Sequence, residues 1–208
     1  MPDSQEKARL NSPKNNRETI IEADLLLAAY AAGYFPMADK DDGAIHWYSP
    51  DPRAILPLGS FNVSRSLRQV IKKQTFEIRV DTSFEEIMRS CAERDETWIS
   101  ENIIQSYVGL YNLGAAHSVE AWSNDTLAGG LYGVALGAAF FGESMFSHKK
   151  DASKVALVYL VERLRERGFE LLDTQFITPH LSRFGAVEIP RSEYISLLER
   201  ALKKKRAF

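Results

Sequence analysis

The sequence is poor in the residues that hold disulfides and metals. It has one cysteine and four histidines among 208 residues. A single thiol cannot form an internal disulfide, and no Cys and His spacing resembles a zinc site, so no metal is predicted. Cys91 lies in an apolar-periodic segment, which favours a buried structural thiol over a nucleophile. The histidines are scattered, and none is predicted to be catalytic; they are His46, His117, His148 and His180.

The sequence also lacks a long hydrophobic run and an excess of charge of either sign. Its longest apolar-rich stretch, Leu25 to Phe35, is too short to span a bilayer. Residues 1–20 are polar and contain no signal-peptide core. A net charge of −2 excludes a globally polycationic nucleic-acid binder but allows a local basic patch. We therefore expect a cytoplasmic protein without a membrane partner. Its length allows one substantial core, or one core with a small satellite domain, and we expect a monomer.

Composition divides the chain into an arm and two domains. Residues 1–21 are rich in Ser, Asn, Lys, Pro and Glu and are predicted to form a flexible N-terminal arm. Residues 22–95 alternate helical patterns with isolated strand patterns, and Pro50 and Pro52 impose an extended path between them. We predict a small N-terminal α/β domain over residues 22–95 and a catalytic domain over residues 96–208.

The second half of the chain has the pattern of an antiparallel meander followed by a helix and a further strand. Residues 117–123, 127–136 and 138–143 are predicted strands, and an amphipathic helix begins near Asp151. Residues 169–174 form the next predicted strand. This order predicts an α+β fold in which helices cover a mainly antiparallel sheet. The C-terminal domain would then be acyl-CoA N-acyltransferase-like, although residues 142–150 lack the glycine pattern of a pyrophosphate loop.

Three polar residues stand out in apolar surroundings. Glu143 follows two phenylalanines, and Asp173 and Gln175 are two residues apart at a predicted strand end. Strand residues two apart project to the same face, so Asp173 and Gln175 can share a ligand. A few polar groups converging in an apolar cleft are typical of a small-molecule site. The residues alone also allow simpler roles: Asp173 as a turn cap, Gln175 as an exposed polar residue, and Glu143 as a buried partner of Lys or Arg.

The chain resembles the bacterial leucyl/phenylalanyl-tRNA–protein transferases across residues 22–200. The matching segments occur in order as Gly33–Pro36, Trp47–Ala54, Ser64–Leu67, Thr97–Ile99, His117–Glu120, Gly129–Val134, Gly142–Ser147, Ala152–Lys154 and Gly185–Arg191. The resemblance implies transfer of Leu or Phe, with Met as a further candidate, from aminoacyl-tRNA to the N-terminal amine of proteins that begin with Lys or Arg. The transfer would mark those proteins for degradation, and no cofactor is implied.

The resemblance also implies roles for the three polar residues. Asp173 would hold and polarise Gln175, whose side-chain oxygen would accept a hydrogen bond from the attacking amine. Glu143 would lie in the same pocket, and one or both carboxylates would attract the cationic first residue of the acceptor. Since an N-terminal amine has a pKa near 8, a useful fraction is already neutral at pH 7.

Selectivity for Leu and Phe requires an apolar substrate pocket. The candidates for it are Tyr30, Met37, Trp47, Trp98, Tyr107, Phe140, Gly142 and Met145. Trp47 could instead stack on the terminal adenine of the tRNA, or pack in the core. The family commonly has Trp where this chain has Met37, so the preference between Leu and Phe stays open.

A predicted helix carries four basic side chains on one side: Arg65, Arg68, Lys72 and Lys73. The resemblance implies that this helix binds the acceptor stem of tRNA through phosphate contacts. A solvated helix face is the alternative.

Two other functions fit parts of the sequence. An acetyl-CoA-dependent N-acetyltransferase would share the architecture, but it would need the pyrophosphate loop that is missing. A non-catalytic adaptor for basic N-termini or tRNA would keep an acidic pocket or a basic helix, and it would have no use for Gln175.

Overall fold

The computed structural model describes residues 20–39, 43–94 and 96–208. Most of the predicted arm, residues 1–19, lies outside the described residues. The helices are α1 (Ala23–Ala31), α2 (Arg65–Lys72), α3 (Phe84–Ala92), α4 (Glu101–Asn112), α5 (Ala152–Glu166), α6 (Pro179–Ser182) and α7 (Arg191–Leu202). The strands are β1 (Phe35–Ala38), β2 (Ile45–Tyr48), β3 (Arg53–Ile55), β4 (Glu77–Val80), β5 (Ala116–Ser123), β6 (Thr126–Leu136), β7 (Ala139–Ser147), β8 (Leu171–Gln175) and β9 (Val187–Ile189).

Seven strands form one sheet in the order β4-β5-β6-β7-β8-β3-β9. All neighbours in it are antiparallel except β7 and β8, which are parallel and are joined through α5. Strands β1 and β2 form a separate antiparallel pair. The prediction of an α+β fold with a mainly antiparallel sheet covered by helices is confirmed. Strand β7 runs four residues beyond the predicted end at residue 143.

Successive residues of the central strands face opposite layers of helices, as the two-residue repeat of a strand requires. On β6, Tyr132 packs with buried residues of α1, α3, α4 and α7, whereas Leu131 packs with α5 and α2. On β7, Phe141 packs in the same core as Tyr132, and Phe140 packs in the same core as Leu131. The sheet therefore has an apolar core on each face.

Strands from before and after the predicted domain boundary at residue 95 belong to the same sheet. Strand β3 pairs with β8 and β9, and β4 pairs with β5. The division into two domains stays a prediction. Within the described part of the chain, no helix is long and apolar enough to cross a membrane.

Candidate functional site

A cavity opens where the parallel strands β7 and β8 separate. Their pairing runs only from Ala139 with Leu171 to Phe141 with Asp173. Beyond that point β8 pairs on its other side with β3. The residues that follow on β7 and β8 line a cavity of about 530 Å³. Because the gap is in the sheet itself, side chains from both helical layers reach the cavity.

A β-bulge on β7 positions Glu143. Gly142 pairs with Gly133 and Ser144 with Tyr132, so Glu143 is the extra residue between two paired positions. A Cβ atom on Gly133 would lie 2.2 Å from the carbonyl oxygen of Phe141, and only glycine fits there. The bulge brings Glu143 to the cavity wall, with its carboxyl group turned toward α1 and α4.

Two tyrosines and an amide surround the Glu143 carboxyl group. The hydroxyl of Tyr30 donates to Oε1 at 2.7 Å, and that of Tyr107 donates to Oε2 at 3.3 Å. The two hydroxyls also contact each other. Gln175 Nε2 donates to Oε1 at 2.9 Å. Burial raises the pKa of Glu143 to about 8, since the lowering effect of the Tyr30 hydrogen bond is smaller. Burial therefore favours the protonated form of Glu143 at neutral pH.

Asp173 is occupied by a buried arginine. Arg53 Nε lies 3.0 Å from Asp173 Oδ1, and Arg53 Nη2 lies 2.6 Å from Oδ2. Neither side chain is exposed. Tyr194 donates to Oδ2 at 2.8 Å, and Arg53 Nη1 donates to the carbonyl oxygen of Gly33 at 3.1 Å. The charge of Asp173 raises the pKa of Arg53 despite its burial, so the two side chains form an ion pair. Asp173 is closed to a substrate in this arrangement.

Asp173 and Gln175 do meet, but through a different bond from the one expected. The backbone N–H of Gln175 donates to Asp173 Oδ1 at 2.8 Å. The side-chain amide of Gln175 is held by Glu143, and its oxygen accepts no hydrogen bond from any residue that the structure describes. Gln175 has a φ of +60°, a left-handed conformation that is uncommon for a non-glycine residue. The backbone bond to Asp173 helps to hold it there.

Half of the predicted substrate residues line the cavity, namely Met37, Trp98, Gly142 and Met145. Tyr30 and Tyr107 are buried behind Glu143. The remaining two, Trp47 and Phe140, are not among the lining residues. Trp47 pairs with Pro36 on β1 and packs on the core, and Phe140 is fully buried with its ring 5.1 Å from that of Phe208.

The four predicted tRNA-binding residues lie on α2 and its C-cap, and all four are exposed. Leu67 anchors the helix in the core beneath α5. None of the four forms an ion pair with a residue that the structure describes. Their charges are therefore available to a ligand, as a phosphate-binding face requires.

Among the residues that sequence reasoning did not assign to the site are three whose side chains bond to it: Arg53, Tyr194 and Arg94. Arg53 and Tyr194 hold Asp173 from positions 120 and 21 residues away in the chain. Arg94, at the rim, donates to Ser144 Oγ at 3.1 Å and contacts the carbonyl oxygen of Met145. One signal was present: Arg53 begins the apolar run Arg53–Leu56, where a charge requires a buried partner.

Cys91 is buried in α3, and burial raises the pKa of its thiol to about 12. The prediction of a structural thiol is confirmed. Among the residues that the structure describes, no group of His, Cys, Asp and Glu is placed to hold a metal ion.

Family models and curated relatives agree on one family. The model of leucyl/phenylalanyl-tRNA protein transferase matches residues 55–199, and that of its N-terminal domain matches residues 20–51. Three proteins named leucyl/phenylalanyl-tRNA–protein transferase are close in sequence. The one from Herpetosiphon aurantiacus is 61% identical over 88% of this chain and 95% of its own length. The one from Paramagnetospirillum magneticum is 57% identical over 88% of this chain and 90% of its own length. The one from Rubrobacter xylanophilus is 56% identical over 90% of this chain and 98% of its own length.

Solved structures match more distantly. L-PGS from Bacillus licheniformis has a TM-score of 0.40 at 15% identity, covering 79% of this chain and 56% of its own. A ribosomal-protein-alanine N-acetyltransferase from Brucella melitensis has a TM-score of 0.38 at 14% identity, covering 52% and 86%. Likenesses this weak carry no argument about function, and the fold class follows from the strand order of the chain.

Proposed function

The chain belongs to the leucyl/phenylalanyl-tRNA–protein transferase family, and on this basis we propose that it transfers Leu, Phe or Met from aminoacyl-tRNA to the N-terminal amine of proteins beginning with Lys or Arg. The transferred residue would mark the acceptor for degradation. The observation that carries the proposal is the hydrogen-bonded pair of Glu143 and Gln175 at the wall of an apolar cavity.

The cavity has the chemistry that an apolar amino acid side chain requires. Met145 and Gly142 form one wall, and Leu131, Leu157 and Leu172 reach the cavity from the α5 face of the sheet. The volume of about 530 Å³ is within the range of small-molecule sites. Such a pocket accepts Leu, Phe and Met together, because apolar pockets discriminate only weakly between side chains of similar size.

The reaction needs a neutral amine placed against an ester carbonyl. The amine nitrogen bonds to the carbonyl carbon, the ester bond to the ribose oxygen breaks, and a proton from the amine ends on that oxygen. The side-chain oxygen of Gln175 can accept a hydrogen bond from the amine and direct its lone pair. Glu143 fixes the orientation of the amide by accepting from Nε2. Asp173 acts through the backbone of Gln175 and is a positioning residue.

Glu143 is the residue that would select a basic acceptor, through attraction between its carboxylate and the cationic first residue. It is the one acidic residue among the described residues that line the cavity, since Asp173 is closed off by Arg53 and Tyr194. A cationic acceptor beside Glu143 would favour the ionised carboxylate and lower its pKa from about 8. The acceptor would thereby create the charge that binds it.

The proposal is tested by incubating the protein with radiolabelled Leu-tRNA and peptides that begin with Arg, Lys or Ala. Label on the Arg and Lys peptides alone is expected. Label on all three would overturn the acceptor specificity. If no peptide is labelled while the tRNA binds, the transfer reaction is wrong and the non-catalytic adaptor takes its place.

A further inference from the structure

Three polar atoms at the cavity are buried without a hydrogen-bond partner among the described residues: the hydroxyl oxygen of Tyr132, Thr174 Oγ1 and His180 Nε2. Buried polar groups are normally satisfied, so each of these atoms points to a ligand. Thr174 lies between Asp173 and Gln175 on β8 and so projects to the opposite face, toward α5. His180, on α6, also lines the cavity.

The surroundings of His180 are positively charged. Burial, and after it the charges of Lys154 and Arg183, lower the pKa of His180. Lys154 lies one turn into α5 and pairs with Asp151 at 2.6 Å. Arg183 is exposed and forms no ion pair with any residue in the described part of the chain. Asp151 offsets the charge of Lys154, so the unpaired charge of Arg183 is what makes this mouth of the cavity favour an anion over a basic peptide.

A chain of contacts connects this mouth to the basic helix α2. The ring of His180 lies 5.3 Å from that of Phe184, which stacks on Phe61 at 5.3 Å. The backbone N–H of Asn62 donates to the carbonyl oxygen of Phe184 at 2.9 Å. Two residues after Asn62, Ser64 caps α2. Segment 61–64 thus places the start of α2 beside α6. Exposed positive charge lies on both sides of this contact, from Arg65 on α2 and from Arg183 at the end of α6.

We propose that Lys154, His180 and Arg183 form a phosphate-binding path for the unpaired 3′ end of the RNA, leading from α2 into the cavity, where Thr174 Oγ1 meets the terminal nucleotide. The inference rests on the proposed function and adds to it the route of the donor. RNA fits this path better than the acceptor does, because the acceptor carries the same charge as Lys154 and Arg183. Unpaired nucleotides carry one phosphate each, which matches cations spaced along a surface.

The test compares three donors that carry the same amino acid: aminoacyl-adenosine, which has no phosphate, the aminoacylated trinucleotide CCA, and full aminoacyl-tRNA. We expect R183Q, and separately K154Q, to raise KM for the trinucleotide and for tRNA by roughly fivefold to tenfold. The ratio of KM for the trinucleotide to KM for aminoacyl-adenosine should rise by the same factor. The salt slope of log KM for the trinucleotide should fall by about 0.7 for each phosphate that the variant no longer binds.

Two sets of controls locate the effect. K72Q with K73Q on α2 should raise KM for tRNA and leave the trinucleotide unaffected, because α2 contacts the stem. R200Q, an exposed arginine on α7, should change none of the three donors.

Each other outcome has a separate meaning. If R183Q and K154Q raise KM for all three donors equally, they act through the packing of α6 and the path is refuted. If they affect only tRNA, the phosphates of the 3′ end lie elsewhere. If they weaken the acceptor peptide and spare every donor, the mouth binds the peptide. Absence of transfer by the unaltered protein from every donor would refute the proposed function itself.

Discussion

Arg53 and Asp173 form a two-pronged ion pair that joins β3 to β8 two residues before Gln175, with donor–acceptor distances of 3.0 and 2.6 Å. The guanidinium also lies over the rings of Phe35, at 4.8 Å, and Tyr194, at 4.5 Å. The pair closes Asp173 to substrate and fixes the strand end that carries Gln175. The resemblance implies that Asp173 holds and polarises Gln175, and the structure has Asp173 bonded to the backbone N–H of Gln175.

Removal of Arg53 should destabilise the fold. Arg53→Ala leaves Asp173 as an unpaired buried charge, which costs about 3 to 5 kcal/mol of unfolding free energy. Urea denaturation measures the loss. The control is Arg89→Ala, which breaks exposed pairs with Glu85 and Glu101 and should cost far less than the loss of the buried pair. Equal losses of unfolding free energy for the two variants would show that the buried pair stabilises the fold no more than an exposed pair does.

Asp173→Ala should slow turnover far more than it weakens tRNA binding. The variant releases the backbone of Gln175 from Asp173 Oδ1 and leaves the buried charge of Arg53 unpaired, so the amide loses its position while the exposed side chains of α2 stay in place. Measurement of kcat beside the Kd for tRNA separates the two effects. A loss of affinity as large as the loss of kcat would contradict the positioning role.

Gln175→Ala should reduce kcat by roughly 100-fold or more, because it removes the proposed acceptor of the attacking amine. Stability should fall by about 1 kcal/mol, since the variant loses the buried hydrogen bond from Gln175 Nε2 to Glu143. Single-turnover transfer to an Arg-starting peptide gives the rate, and thermal unfolding checks the fold. Wild-type transfer by this variant would show that the amide takes no part in the reaction.

Glu143 should make the protein less stable as pH rises from about 4.5 to about 8. Its pKa is raised in the folded state, so the folded state binds more protons than the unfolded state between these values. The stability that the protonated group provides is full at low pH and is lost on the way to pH 8. The loss is on the order of 5 kcal/mol. Urea unfolding from pH 5 to 8.5 should show this slope in the wild type and not in Glu143→Gln, and parallel curves would contradict it.

Met37→Trp should change the ratio of Leu to Phe transferred, because Met37 lines the cavity. A larger, stiffer side chain narrows the space beside Trp98 and favours the smaller substrate. Competition between Leu-tRNA and Phe-tRNA measures the ratio. Leu113→Trp, at an exposed position after α4, is the control and should leave it unchanged. An unaltered ratio for Met37→Trp would place residue 37 outside the substrate pocket.

The sequence by itself determined the elements and their faces. The strand patterns of β6 and β7, the apolar stripe of α5 and the basic side of α2 are all local patterns. They depend on the geometry of one element, and the structure has them where the patterns predict. The nearness of Asp173 and Gln175 is likewise a property of one strand.

Only the tertiary structure decided how these elements make a site. The bulge at Glu143 depends on the register between β6 and β7, and the pairing of Arg53 with Asp173 joins positions 120 residues apart. The tyrosine pair around Glu143 comes from α1 and α4, on one face of the sheet. Such contacts are selected by packing and by the cost of leaving a buried charge or polar group unpaired, which no local pattern contains.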